Sequence, residues 1–346
     1  MAKNSRHRET SPSVVPPGTA ARDQLPRPGS NGASIDPSGG HSSVLPIVHH
    51  PGYSIDWPER HPFPMAKFRI LRKRLSTLGF DDRDDVCWIT PAPATSQALL
   101  RGHTADYLQR FYLGEIAATR RTPSGFPWSP ALVERTLLEV GGTLAAVGSA
   151  MQTGLALNTA GGTHHAYADR ASGYCLLNDL AVAAHHLLAE YRLERVLIVD
   201  CDVHQGDGTA WIFRDELRVF TLSLHGEANF PFEKRRSDRD VALPRGTGND
   251  AYLERLETAL DSILRDFQPQ FVLFDAGADV HADDRLGHLS LSDHGLYRRD
   301  YRVLAKCRRL GIPVAGVIGG GYDRDLEALA GRHAQLFLAA LALTAG

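Results

Sequence analysis

Five short apolar runs along the chain alternate with longer segments in which apolar residues recur every three or four positions. The runs predict buried strands over Leu155–Asn158, Val196–Asp200, Val219–Leu224, Phe271–Asp275 and Val314–Ile318. The longer segments predict helices over Ala131–Met151, Leu177–Tyr191, Ala251–Phe267, Asp293–Leu310 and Asp325–Ala342. Such alternation is typical of an α/β fold in which helices cover both faces of a parallel sheet.

Residues 1–43 lack this pattern. They are rich in Pro, Gly, Ser and Arg and have scarcely any periodic apolar positions, so they cannot bury enough surface to offset the entropy of ordering. We therefore expect a disordered tail over 1–43 and one folded domain over 44–346.

The composition is that of an ordinary globular protein, with 43% apolar and 23% charged residues and a net charge of −2. This net charge does not indicate binding to nucleic acid. The basic clusters Arg72–Arg74 and Lys234–Arg236 are predicted to be solvated surface. No apolar run is long enough to span a bilayer. The cysteines lack paired spacing and are expected to be reduced core residues of a cytoplasmic protein; they are Cys87, Cys175, Cys201 and Cys307.

Asp200, Asp202 and His204 occupy alternate positions at the end of one predicted strand. Side chains alternate along a strand, so the three would point to one side and could converge on a cation. Capping of a helix near Thr209, or bonding to turn amides, is the alternative for the two aspartates. The metal interpretation is favoured because His204, the Gly206-Asp207-Gly208 turn and Asp279 after a second strand coincide. Asp202, His204 and Asp279 would leave a coordination position open for water or substrate. Nitrogen and oxygen ligands suit zinc first, although iron, cobalt or manganese could bind the same set.

His164 and His165 follow a glycine pair at another strand end, where the backbone can approach a ligand closely. Metal-assisted hydrolysis needs a group that takes a proton from water and gives one to the leaving amine, and a histidine oriented by a carboxylate suits both steps. Asp200 and Asp207 are available to orient such histidines. Tyr322 follows three glycines and could donate to a developing oxyanion. In an open α/β sheet these strand ends share one edge.

The motifs together resemble the histone deacetylase superfamily over roughly residues 46–346, and residues 204–208 and 283–290 resemble its class IV group and bacterial relatives. The resemblance rests on Gly161-Gly162-x-His164-His165-Ala166, Gly173-Tyr174-Cys175-x-x-Asn178-Asp179, the Asp200 to Thr209 segment, Gly277-Ala278-Asp279 and Gly319-Gly320-Gly321-Tyr322. It implies a three-layer arginase/deacetylase-type α/β fold with a central parallel sheet of about eight strands. It also implies zinc-dependent hydrolysis of an acylated lysine amide.

Roles follow from the resemblance by motif. Asp202, His204 and Asp279 would be the zinc ligands. His165 would be the general base and acid backed by Asp207, His164 an electrostatic partner backed by Asp200, and Tyr322 the group that polarises the acyl carbonyl.

Family members hold the acyl-lysine in a narrow apolar tunnel. By resemblance its residues would be Gly173, Tyr174, Phe230 and Leu286. Tyr174 stands where the family usually has Phe, which leaves the preferred acyl length undetermined. Leu286 stands where acetylpolyamine-selective relatives carry a glutamate, which argues against a polyamine. A structural potassium ion is similarly implied near Asp200, Asp202, His204, Ser223 and Leu224.

Two other functions stay open. An arginase-like dimanganese hydrolase shares the fold but needs more metal ligands, and the sequence shows no second full set. An acyl-lysine binding protein would keep the pocket without turnover. The substrate would be an acylated lysine in a protein or peptide, or a small acylated amine; the sequence does not determine the oligomeric state.

Overall fold

The computed structural model describes residues 44–116 and 124–344, so the tail predicted over 1–43 lies outside the described residues. Eight strands are present in this part of the chain: β1 Leu45–Val48, β2 Val86–Ile89, β3 Leu155–Asn158, β4 Val196–Asp200, β5 Val219–Gly226, β6 Arg239–Leu243, β7 Phe271–Asp275 and β8 Val314–Val317. The α-helices are α1 Lys67–Thr77, α2 Ser96–Leu99, α3 Ala105–Leu113, α4 Pro130–Thr153, α5 Asp179–Glu190, α6 Asp207–Phe213, α7 Asn249–Asp266, α8 Asp293–Arg309 and α9 Leu326–Thr344.

The strands form one eight-stranded sheet in the order β2-β1-β3-β8-β7-β4-β5-β6, and each neighbouring pair is parallel. The sheet confirms the predicted α/β fold. All five predicted strands are found, three with the predicted bounds, while β5 continues to Gly226 and β8 ends at Val317.

Alternate residues of the central strands supply two separate cores. In β4, Leu197 and Val199 join one apolar cluster, while Val196 and Ile198 join the other. Both faces of the sheet are therefore buried, which explains why these strands are continuous apolar runs.

The strands that the pattern missed are short or exposed. β2 and β6 are the two edge strands of the sheet and are only partly buried, so they lack a continuous apolar run. β1 is buried but contains Pro46, a residue that argues against a strand. Cys87 lies in β2 and is exposed, so its prediction as a core residue is wrong, whereas the other three cysteines are buried. In the described part of the chain, no helix has the length and apolarity needed to cross a bilayer.

Candidate metal centre and active site

The candidate site lies where four neighbouring strands end. β3, β8, β7 and β4 are adjacent in the sheet, and the segments that follow them carry the histidine pair, Tyr322, Asp279 and the Asp202–His204 array. Parallel strands end at the same edge, where ligands of open α/β sheets bind. The fold therefore brings together reactive residues that lie up to 158 positions apart in the sequence, from His164 to Tyr322.

Asp202, His204 and Asp279 converge as predicted. The prediction that Asp200, Asp202 and His204 share one strand and one cation is wrong, because β4 ends at Asp200 and Asp200 groups with His164 and Asp275 instead. One ligand atom from each lies within 4.8 Å of the others, and all three side chains are buried. The Nδ1 atom of His204 is 3.0 Å from Asp202 Oδ1 and 3.1 Å from Asp279 Oδ2. Ligand atoms about 2.1 Å from a tetrahedral zinc ion lie about 3.4 Å apart, so this geometry fits a metal ion with little adjustment.

The charges of this trio also fit a cation. Burial favours neutral His204, but its hydrogen bonds to Asp202 and Asp279 outweigh burial and raise its pKa to about 10. Burial and the neighbouring Asp202 charge raise the pKa of Asp279 to about 7. The extra proton on His204 therefore occupies the place that a divalent cation would take. That cation would be held by a neutral imidazole and two carboxylates.

The main chain allows this convergence only because Gly320 lacks a side chain. Its N–H donates to Asp202 Oδ2 at 2.7 Å, and a Cβ on Gly320 would lie 2.2 Å from Asp279 Oδ2. The backbone N–H of Val203 donates to the other oxygen of Asp279 at 2.8 Å. Each carboxylate is therefore oriented by the main chain, as ligands of metal sites usually are.

His165 is hydrogen-bonded to the carboxylate of Asp207. Its Nδ1 is 2.6 Å from Asp207 Oδ1, and because the carboxylate accepts, Nδ1 carries the proton and Nε2 is left free to accept one. Burial lowers the pKa of His165 to about 4, with a further contribution from neighbouring His164 and an opposing one from Asp207. The imidazole is therefore neutral at physiological pH.

His164 differs from its neighbour. Burial disfavours its charged form, but Asp200 and Asp202 together raise its pKa well above the usual value. Its Nδ1 is 2.8 Å from Asp200 Oδ2, and its Nε2 is 3.8 Å from Asp202 Oδ1. This arrangement suits the electrostatic role predicted for the His164–Asp200 pair.

Sequence reasoning gave no role to Asp275, the last residue of β7. Asp275 is fully buried, and among the described residues neither of its carboxylate oxygens has a hydrogen-bond partner. It forms a second group with His164 and Asp200, whose potential ligand atoms also lie within 4.8 Å of one another. Burial and Asp200 raise its pKa well above the usual value. Asp275 ends its predicted strand, and the local spacing gave no signal that it lies beside His164 and Asp200.

The loop that carries the histidine pair is held by two residues that were named only as part of a motif. Asp179 accepts hydrogen bonds from the N–H groups of Gly162 and Thr163. Asn178 donates to the carbonyl oxygen of Ala166 at 2.9 Å and also caps α5. Both side chains are fully buried, so the loop is rigidly tied to the start of α5.

Tyr322 lies beside the candidate metal ligands, with its ring centroid 6.2 Å from that of His204. Burial and the charges of Asp202 and Asp279 raise its pKa well above the usual value, so the phenol stays protonated and can donate. Its backbone N–H donates to Asp284 Oδ2 at 2.7 Å. Asp284 also accepts from the N–H of Leu286 and so positions both residues, a role that the sequence did not reveal.

Gly173 and Tyr174 occupy the turn of a tight hairpin. Ser172 and Cys175 exchange backbone hydrogen bonds, and φ is +52° at Gly173 and +64° at Tyr174. Two central residues with positive φ are typical of a type I′ turn, a strained conformation for tyrosine. Stacking of the Tyr174 ring on Phe126, with 5.6 Å between centroids, offsets part of this backbone strain. The Tyr174 ring lies 6.0 Å from the ring of Tyr322.

Phe230 and Leu286 border the other side of the site. The Phe230 ring stands edge-on to His165 at 4.9 Å between centroids. The carbonyl oxygen of Leu286 accepts from the Asn229 side chain at 2.8 Å, so the loops that carry the two residues are joined. Both side chains remain partly exposed. Of the predicted tunnel residues, Tyr174 therefore adjoins Tyr322 and Phe230 adjoins His165.

A small cavity of about 30 Å³, room for about one water molecule, lies behind Tyr174 and Tyr322 and reaches Lys67, Arg135 and Glu139. The Lys67 ammonium donates to the carbonyl oxygen of Gly319 at 2.9 Å. Arg135 and Glu139 form a buried bidentate ion pair at 2.7 and 2.8 Å. Lys67 was missed because α1, in which it lies, was not predicted. Arg135 and Glu139 were missed because their spacing within a helix does not distinguish a buried ion pair from an exposed one.

The structure shows the position of some of the residues near which the potassium ion is implied. The register of β4 and β5 places Asp200 beside Ser223, and the hydroxyl of Ser223 lies 3.0 Å from His225 Nδ1. The potassium ion itself stays a prediction.

Comparison with known proteins agrees with this geometry. A model of the histone deacetylase domain matches residues 61–338. An uncharacterized protein of Picosynechococcus is 45% identical over 296 residues, which cover 86% of this chain and 98% of that protein. Histone deacetylase 2 of Arabidopsis thaliana is 32% identical over 82% of this chain and 76% of its own length. Acetoin utilization protein AcuC of Bacillus subtilis is 32% identical over 80% of this chain and 77% of its own length.

Proposed function

This chain belongs to the histone deacetylase family, and we propose on that basis that it removes an acetyl or longer acyl group from a lysine side-chain amide with one bound zinc ion. One observation carries the proposal. The trio of Asp202, His204 and Asp279 lies beside a neutral His165 bonded to Asp207 and beside the protonated phenol of Tyr322. These are the groups that amide hydrolysis requires.

When bound, the zinc ion would polarise the acyl carbonyl and lower the pKa of a water molecule. His165 accepts the proton of the attacking water at Nε2, because Nδ1 is occupied by Asp207. It returns that proton to the lysine amine as the C–N bond breaks. Tyr322 donates to the carbonyl oxygen as negative charge develops there.

The substrate class follows from the walls of the site. The rings of Tyr174 and Phe230, which adjoin Tyr322 and His165 respectively, suit the apolar methylene chain of a lysine. Leu286 offers no charge for the second amine of a polyamine. We therefore propose an acyl-lysine in a protein or peptide, with a small acylated amine as the alternative. Placement near class IV, a cytoplasmic location and the absence of nucleic-acid binding remain predictions.

A panel of acyl-lysine peptides of increasing chain length tests this proposal, with the protein stripped by a chelator and then reloaded with zinc. We expect turnover to vanish on stripping and to return with zinc. Turnover that survives complete removal of metal would contradict the proposal. Peptide binding without turnover in the zinc-loaded protein would instead favour the non-enzymatic acyl-lysine binder.

The ligand assignment has its own test. Asp279→Ala should lower zinc content, because it removes one of three ligands. Asp215→Ala is a matched control, because the Asp215 side chain is 83% exposed and pairs with Arg214 at 3.1 Å. Full zinc occupancy in Asp279→Ala would mean that the ligand set is wrong.

The dimanganese alternative gains one observation from the structure. The sequence showed no second ligand set, but His164, Asp200 and Asp275 form a second group that could hold an ion. The 2.8 Å contact between His164 and Asp200 is more simply a hydrogen bond that orients the histidine. Metal analysis distinguishes the two: one zinc ion per chain supports our proposal, whereas two manganese ions per active chain would support the alternative.

A further inference from the structure

The carboxylate of Asp207 has a second partner besides His165. The hydroxyl of Tyr167 donates to Asp207 Oδ2 at 2.8 Å, while Asp207 Oδ1 is bonded to His165 at 2.6 Å. Each oxygen therefore has its own hydrogen bond, which fixes the plane of the carboxylate. Tyr167 is only 4% exposed.

Tyr167 is in turn held from two sides. Its hydroxyl accepts a hydrogen bond from Arg235 Nε at 3.3 Å, and the guanidinium of Arg170 stacks on its ring at 3.5 Å. A cationic donor polarises the hydroxyl and makes it a stronger donor to Asp207. The Lys234–Arg236 cluster was predicted to be solvated surface; the Arg235 side chain is 33% exposed and makes this contact as well.

Arg235 belongs to the segment between β5 and β6, which also carries Phe230. The backbone N–H of Arg235 donates to the Gln205 side chain at 2.8 Å, and the ammonium of Lys234 donates to the carbonyl oxygens of Asn229 and Pro231. The segment that supplies one wall of the site is thus tied to the residue that holds Asp207.

We propose that Tyr167 is a positioning residue for proton transfer: it fixes Asp207, and through Asp207 the orientation of His165, while Arg235 links it to the loop that bears Phe230. This inference rests on the proposed function for the role of His165. The groups that face His165 are His164 from its own loop, Asp207 from α6 and His204 from the segment after β4. Of these, Tyr167 contacts Asp207 alone.

Tyr167→Phe is the decisive variant, because it removes the hydroxyl and keeps the ring. Without the O–H donor, the Asp207 carboxylate keeps one of its two hydrogen bonds and can rotate, so His165 is held less firmly. We expect the Nδ1–H proton of His165 to exchange with solvent faster, as measured by NMR of histidine-labelled, zinc-loaded protein with His165→Ala for assignment. We also expect kcat to fall about 10-fold, with KM nearly unchanged. Arg235→Met should shift the same quantities in the same direction by less.

Tyr107→Phe is the matched control. Its buried hydroxyl donates to the carbonyl oxygen of Leu176 at 2.6 Å, so the variant loses a comparable hydrogen bond away from Asp207. We expect its His165 Nδ1–H exchange rate and its kcat to match those of the wild type. A Tyr167→Phe protein with the same His165 exchange rate as this control would overturn the inference. Since the NMR measurement needs no turnover, it decides the matter even if no acyl-lysine peptide is hydrolysed, which would be a failure of the proposed function alone.

Discussion

Gly173→Ala should reduce turnover without removing metal, for a reason that lies in the geometry of one turn. Gly173 has φ = +52°, and a Cβ built on it would lie 2.4 Å from Cδ2 and 2.8 Å from Cγ of His165. Ordinary carbon–carbon contacts lie near 3.5 Å, so the imidazole would have to retreat by about 1 Å. The hydrogen bond to Asp207 and the edge contact with Phe230 resist that movement.

A displacement of about 1 Å in a catalytic group costs about 10²-fold in rate. We therefore expect kcat of Gly173→Ala to fall about 10²-fold, as measured with zinc-loaded protein and the best acyl-lysine peptide. Zinc content should stay at the wild-type level, because the substitution touches none of the three ligands. Alanine with positive φ also costs about 1 kcal/mol of stability.

Gly311→Ala separates the two effects. Gly311 has φ = +68°, and a Cβ there would meet nothing within 4 Å. It should therefore lose about 1 kcal/mol of unfolding free energy in chemical denaturation and keep its turnover. Equal turnover in Gly173→Ala and Gly311→Ala would refute the argument that Gly173 is required for the placement of His165.

Two further predictions concern histidines. His165→Ala should lower turnover roughly 10²–10⁴-fold with zinc retained; unchanged turnover would remove His165 from the mechanism. Buried His103 accepts the backbone N–H of Asn178 at 2.9 Å, and burial lowers its pKa to about 4. The stability that neutral His103 contributes is therefore present in full above its unfolded pKa of 6.5 and is lost as the pH falls toward 4. The total loss in the free energy of unfolding is about 3 kcal/mol. Denaturant titrations of His103→Gln between pH 7.5 and 4.5 should show a weaker pH dependence than the wild type; identical slopes would contradict this explanation.

Much of the site was readable from local pattern. Asp202 and His204 were recognised from their position just after a buried strand, although β4 ends at Asp200 and both residues lie in the bends that follow it. The glycines before Tyr322 indicated a close approach of the backbone to other groups, and Gly320 does pack against Asp202 and Asp279. The long helices and buried strands were predictable for the same reason: an apolar face that must be covered leaves a regular spacing in the sequence. Edge strands β2 and β6 leave a weaker trace, since they are only partly buried.

The residues that follow the apolar runs were enough to predict the candidate site residues and their place after strands, whereas only the three-dimensional fold shows which of them are neighbours. β8 lies between β3 and β7, and β4 adjoins β7, so Asp275 comes to face His164, and Tyr167 reaches Asp207 across 40 residues of chain. Nothing in the local spacing reports such pairings. Periodicity records how each segment is buried, whereas strand order and loop packing depend on contacts between segments that are far apart along the chain.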